Sequence, residues 1–255
     1  MSKSKRRYNC HLNKPNHNLK IFLPRLLNPK LPPVINYLSL LGPVMDQGDQ
    51  GSCTAHGWMG LWDYLHLKDV NKNLPNNNFM AGSRDFLYGQ ELKYDGNAGQ
   101  DVGSTVNTGG IVLNTIGLCP EIMFPYGEGN FAKEPPPECF QIAAMHKLQS
   151  PQRVIGVDGI RNALYQGYVV VVGVEVFQSF EDAFEPGGNG EVPDPDPKKE
   201  KSLGGHCILI FGYDDTKKRF NFRNSWGSDA GDQGNGTFSY NYVSVYGSDY
   251  HTATK

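Results

Sequence analysis

The 255-residue chain predicts an α+β protein of two lobes, a helical one followed by a sheet-rich one. Two observations carry that expectation. Ala55, Trp58, Met59, Leu61, Trp62 and Leu65 follow helical spacing, and further helical patterns precede Gly117. After Pro135-Pro136-Pro137 the pattern changes to short valine-, isoleucine- and phenylalanine-rich runs that read as strands. Helices first and strands second point to segregated layers. A chain of this length buries a full core without disulfide staples. Its composition, 38% hydrophobic and 20% charged, is that of a folded soluble protein.

Residues 1–42 are polar, basic and proline-containing, and are expected to form an extended arm rather than a packed helix. Eight of the 24 basic residues and none of the 26 acidic ones lie before Asp46, so the rest of the chain is acidic. Such an arm suits contact with an acidic partner or nucleic acid, or with the acidic body of its own chain. A solvated tail, or one lying on that acidic body, is favoured, because no basic surface interleaved with aromatic residues accompanies the arm. No apolar stretch and cleavage site follow Met1-Ser2-Lys3-Ser4-Lys5-Arg6-Arg7 as a secretory signal requires. No apolar run reaches the ~20 residues of a membrane span. Five cysteines without regular spacing argue against a disulfide framework and for a reducing, intracellular compartment.

Residues 43–255 form the expected domain, its helical lobe at about 43–150 and its β-rich lobe at about 151–255. Ser52 is a good N-cap for a central buried helix that begins at Cys53. Asn71 to Asn78 reads as a polar loop, Phe79 to Leu92 as a second helix, and Ser104 to Ile116 as a third, ended by Gly117. Gly127 to Glu138 reads as an exposed connection. A short helix near Asp158 to Gln166 leads into a buried strand, Tyr168 to Phe177. Glu185 to Ser202, with four prolines, is a long surface loop. Cys207 to Tyr213 and Arg219 to Asn224 are strands joined at Asp214-Asp215.

Cys53, His206 and Asn224, in that order and with Gln47 shortly before the cysteine, suit thiol chemistry. A thiol is a useful nucleophile as thiolate, and a helix N-terminus or an imidazolium lowers its pKa. Cys53 sits at such an end, His206 can share its proton, and the Asn224 amide oxygen can hold the imidazole. Gln47 and the Cys53 N–H can donate to a developing oxyanion. Singly, each residue has a bland reading as core or turn. A metal site from Cys53, His56, His206 and Cys207 is weaker, since adjacent strand residues face opposite sides. No metal and no cofactor is called for.

The local sequences sharpen the grouping. Pro43 to Gly48, Gly51-Ser52-Cys53-Thr54-Ala55, Gly204-Gly205-His206 to Tyr213 and Asn224-Ser225-Trp226-Gly227 resemble the signature blocks of papain-like cysteine peptidases, specifically the disulfide-poor microbial and viral branch. The resemblance spans about residues 42–243. It implies a two-lobe fold with a cleft between a helical lobe and an antiparallel barrel-like lobe, and hydrolysis of peptide bonds by an endopeptidase or exopeptidase. Cys53 would be the nucleophile, His206 the acid/base, Asn224 the orienter and Gln47 the oxyanion donor. Gly103, Ser104, Gly205 and Trp226 would contact a peptide substrate. Extracellular relatives close a disulfide between positions that here hold Gln50 and about Asp101. Thr54 and Ala230 stand where relatives often carry tryptophan, which alters the cleft walls. The alternatives are a non-enzymatic binding or structural module, as in a virus particle, and cleavage of cell-wall peptide cross-links.

Overall fold

The structure, a computed structural model, describes residues 6–12, 19–23, 30–73, 81–127 and 129–254. Helices α1 (Cys53–Asn73), α2 (Arg84–Tyr94), α3 (Val106–Thr115) and α4 (Pro137–Ala143) make one lobe. The other lobe carries β2 (Gln149–Arg153), α5 (Gly156–Tyr165), β3 (Val170–Val176), α6 (Gln178–Phe184), β4 (Gly204–Asp214), β5 (Arg219–Arg223), β6 (Asn235–Ser239), α7 (Tyr240–Tyr246) and β7 (Gly247–Thr254). Its strands form an antiparallel sheet in the order β2-β7-β3-β4-β5-β6. The arm adds β1 (Val34–Asn36), paired with the far end of β4 at Gly212 to Asp214. No helix among the described residues is long and apolar enough to cross a membrane.

Strand periodicity explains the continuous apolar runs of β3 and β4. Val170, Val172, Val174 and Val176 face one side with Ile208 and Ile210, against Leu164, Phe180, Phe184 and Val243. Val171, Cys207, Leu209 and Phe211 face the other side, against Trp58, Leu61 and Trp62 of α1. Both faces are buried, so no polar alternation survives in the sequence.

Helix α1 lies close on β4 because Gly57 and Gly60 present no side chain to it. A Cβ on Gly57 would stand 2.7 Å from Cys207 Sγ, and one on Gly60 2.9 Å from Leu209 Cδ2. The helix end bearing the nucleophile candidate is thereby pressed against the strand bearing its base. Ser83 caps α2 by accepting from Phe86 N, and Thr105 caps α3 by accepting from Thr108 N. Ser52 directly precedes α1 and its carbonyl accepts from His56 N at 3.1 Å, while its hydroxyl is bonded to the Tyr126 hydroxyl at 2.8 Å.

Several boundaries shift from the sequence expectation. Most of the loop expected at Asn71 to Asn78, and the expected helix start at Phe79, lie outside the described residues. The connection expected over Gly127 to Glu138 runs into α4, where Pro137 suits the first turn and Glu138 favours the helix N-terminus. Helices α6 and α7 and strands β2, β6 and β7 were not expected. Each has eight residues or fewer, so its pattern hardly rises above that of a loop.

At the expected missing disulfide the structure has a polar tie. Asp101 Oδ1 accepts from Gly51 N at 2.9 Å and from the Tyr88 hydroxyl at 2.6 Å, beside Gln50, whose Nε2 donates to Asp85 Oδ1 at 2.7 Å. Replacing Asp101 leaves a backbone N–H and a phenol without their acceptor. Asp101→Ala should lower stability by about 1–3 kcal/mol in urea unfolding, and Asp101→Asn by less.

Candidate active site

Three segments converge where the lobes meet. Cys53 opens α1, His206 lies on β4, and Asn224 follows β5. His206 Nε2 stands 2.8 Å from Asn224 Oδ1. An amide oxygen can only accept, so Nε2 carries the proton there, and Nδ1, buried and without a hydrogen-bond partner among the described residues, is the nitrogen left for the thiol whose pKa the His206 side chain lowers. Asn224 is itself fixed: its Oδ1 also accepts from Ser225 N at 2.8 Å, and its backbone N donates to Gly234 O at 3.0 Å.

Gln47 is held by the same segment. Gln47 N donates to Ser225 O at 2.8 Å, and Ser225 Oγ donates to Gln47 Oε1 at 2.6 Å. Asp46 bridges Trp226, and Gly227 N donates to Met45 O at 3.1 Å, so residues 45–47 and 225–227 form a short antiparallel ladder. Gln47 Nε2 donates one hydrogen to Gln50 O at 2.8 Å. Nothing in the sequence marks Ser225 beyond its place between Asn224 and Trp226. The Trp226 ring stacks on the His206 ring at 5.0 Å between centroids and shields its contact with Asn224.

The Cys53 thiol is held well below the ordinary thiol range. The neighbouring Cys10 side chain is the largest cause, and the His206 side chain and a Cys207 backbone contact act the same way, while burial opposes them. Beneath the helix start, Thr54 Oγ1 donates to Glu91 Oε2 at 2.5 Å, and burial raises that carboxyl well above its usual range. Among the described residues no group of three or more His, Cys, Asp or Glu is placed to hold a metal ion.

The substrate-contact candidates stand along the arm. Cys10 N donates to Gly205 O at 3.0 Å and His11 N to Ser104 O at 2.9 Å. Gly103 adopts φ +80° and takes a bond from its N to the Tyr88 hydroxyl at 3.0 Å, while Ser104 Oγ donates to Asp95 Oδ2 at 2.7 Å. Arg6 lies over Trp226 at 4.1 Å, and Arg7 pairs with Asp101 at 2.8 Å. Arg6 also approaches Glu185. Arg6 and Arg7 therefore rest on acidic and aromatic groups of the same chain, one of the two arrangements expected from charge balance. Tyr8, whose hydroxyl donates to Glu181, is a cleft residue that the sequence did not mark.

A family model described as "Papain family cysteine protease" matches residues 36–248. An uncharacterized peptidase C1-like protein of Acanthamoeba polyphaga mimivirus is 30% identical over 210 residues, which are 78% of this chain and 65% of that protein. The chain thus spans just under two thirds of that relative's length. Among solved structures, xylellain, a cysteine protease from Xylella fastidiosa, superimposes with a TM-score of 0.84 at 28% identity, over 97% of this chain and 96% of that one. Digestive procathepsin L 3 of Tenebrio molitor larval midgut matches with a TM-score of 0.71 at 18% identity, over 95% of this chain and 76% of that one. This chain belongs to the papain family of cysteine proteases, and it has the family's two-lobe α+β fold.

Beside the site lies a small cavity of mixed lining, to which Met45, Met59, His56, Asp63, Arg84 and Arg223 contribute. Burial pushes His56 down to about 3 and Asp63 up to about 7, against the pull of Arg84 and Arg223 on the latter and with a smaller push from Glu121. The unfolded Asp63 carboxyl loses its proton near 3.8, so its contribution to stability is full below that pH and is lost as pH rises through about 7. The loss is up to about 4 kcal/mol. Asp63→Asn stays neutral throughout, so its unfolding free energy should fall less than the parent's between about pH 4 and pH 8.

Proposed function

We propose that the chain is a cysteine-type peptidase in which Cys53 is the nucleophile, His206 the acid/base, Asn224 the orienter and Gln47 an oxyanion donor. The supporting observation is the pairing of His206 Nε2 with Asn224 Oδ1 at 2.8 Å, which leaves Nδ1 free to serve the thiol of Cys53 at the N-terminus of α1. The Cys53 thiolate attacks the carbonyl carbon of an extended peptide. The oxyanion accepts from the Cys53 N–H and from the remaining Gln47 Nε2 hydrogen. His206 Nδ1–H then gives its proton to the leaving amine, freeing the C-terminal product and leaving an acyl-enzyme thioester. Water attacks that thioester with His206 taking its proton, and the Cys53 thiolate returns.

The substrate backbone is read by the carbonyls of Ser104 and Gly205, which here bond an extended segment of the chain's own arm. Asn224 acts through His206 by fixing the ring, and Trp226 excludes water from that contact. The fold and family membership support an unfolded protein or peptide as substrate over a cell-wall cross-link.

The test is labelling of reduced protein with a vinyl sulfone, in the full chain and in a variant whose arm is loosened by Tyr8→Ala with Leu12→Ala. Labelling should map to Cys53, proceed faster in the loosened variant and vanish in Cys53→Ser. Absence of labelling in both folded proteins contradicts the reading and favours a binding module. For cleavage of an unstructured peptide, Gln47→Ala should lower kcat by about 10²–10³-fold.

A further inference from the structure

The arm crosses the cleft with a cysteine at its middle. One neighbouring residue bonds each lobe: Cys10 N reaches Gly205 O on β4, and His11 N reaches Ser104 O on the helical lobe. Glycine walls permit so close an approach. A Cβ on Gly205 would stand 2.0 Å from Cys10 O, and one on Gly103 1.8 Å from Asn9 O. Cys10 and Cys53 are buried in one apolar cluster, Cys10 is hydrogen-bonded to the residue before His206, and each thiol is among the groups that shift the other's pKa.

The direction of the arm matters. In a peptide being cleaved, residues after the scissile bond lie on the side where His206 protonates the leaving amine. In the arm it is the earlier residues, Arg6 and Tyr8, that lie over Trp226 and against His206. The later ones, His11 and Leu12, lie at Ser104, Gly205 and Gly173. The arm runs opposite to a substrate, so it fills the cleft without offering a bond in the productive direction. Further along it is tied to the body, by Phe22 N to Arg153 O at 2.7 Å and by the pairing of β1 with β4.

We propose that Cys10 and Cys53 join in a reversible disulfide that fastens the arm in the cleft, so that the thiol state of this pair switches the protein between a locked and an openable form. The proposal rests on the reading of Cys53 as the nucleophile. The oxidant is a low-molecular-weight disulfide. While the arm is lifted, the Cys53 thiolate attacks one sulfur of that disulfide, its S–S bond breaks, and one small thiolate leaves. When the arm reseats, Cys10 gives up its proton to solvent and its sulfur attacks the Cys53 sulfur, expelling the second small thiol. Two protein thiols are oxidised and one small disulfide is reduced to two thiols. A dithiol reductant reverses both steps. Because the arm is tethered beyond Cys10, the second step is intramolecular and outcompetes free small thiols.

The experiment treats the reduced full chain with oxidised glutathione and maps its peptides by mass without reduction. A Cys10–Cys53 linked peptide is expected, with loss of vinyl sulfone labelling that dithiothreitol restores. Cys10→Ser should keep glutathione on Cys53, and Cys207→Ser should still form the Cys10–Cys53 link. Glutathione persisting on Cys53 in the parent chain, a Cys53–Cys207 link in its place, or no link to Cys53 at all would overturn the proposal. The map separates any link between Cys119 and Cys139, two buried neighbours in the helical-lobe cluster, and it needs no catalytic activity. A link that forms in a protein whose reduced form is never labelled upholds the disulfide and defeats the peptidase reading. Labelling without the link does the reverse.

Discussion

The close seat of α1 on β4 is the constraint from which the rest of the site follows. With Gly57 and Gly60 facing Cys207 and Leu209, the first turn of α1 comes within reach of His206 on the same strand. A side chain at either glycine would move the thiol away from the imidazole, and the protonation of one would no longer govern the other. The same contact puts Cys53 at a helix N-terminus, where unpaired N–H groups favour negative charge. Packing between two lobes is thereby converted into the electrostatics of one sulfur atom.

A second set of contacts holds the partners of that sulfur in register. The ladder between residues 45–47 and 225–227 locks Gln47 to the segment that carries Asn224 and Trp226, so the proposed oxyanion donor and the proposed orienter move together. On the opposite wall, Asp101 ties Gly51 and Tyr88 and also receives Arg7 of the arm. A single carboxylate thus braces the loop before α1 and anchors the segment that fills the cleft. The hydrogen bond stands near the place where extracellular relatives have a covalent bridge, as suits a chain whose cysteines are all free thiols in this structure.

Much of this was legible in the chain because it depends on local sequence. The two-lobe order, the helix beginning at Cys53, the buried strands and the Gln47, Cys53, His206 and Asn224 set all sit in blocks whose neighbours mark them. The bond from Ser225 to Gln47 was not legible, because its ends lie 178 residues apart and a serine beside an asparagine reads as a turn. Cys10 was hidden for a similar reason. A single cysteine in a basic, proline-containing arm carries no pattern, and its neighbour is set by the path of the arm across the fold. Helices α6 and α7 escaped because two turns give too few repeats for a 3.6-residue period to emerge.

Thiolate absorbance in the ultraviolet tests the central claim most directly, because it reads the charge on sulfur without requiring substrate or access to the cleft. The difference in absorbance between reduced wild-type chain and Cys53→Ala, followed across pH, isolates the Cys53 thiolate. The account predicts a thiolate that persists well below the ordinary titration of cysteine, about pH 8.5, and that retreats toward it in His206→Ala. A Cys53 thiolate appearing only at or above the ordinary range, and unchanged by His206→Ala, would contradict it.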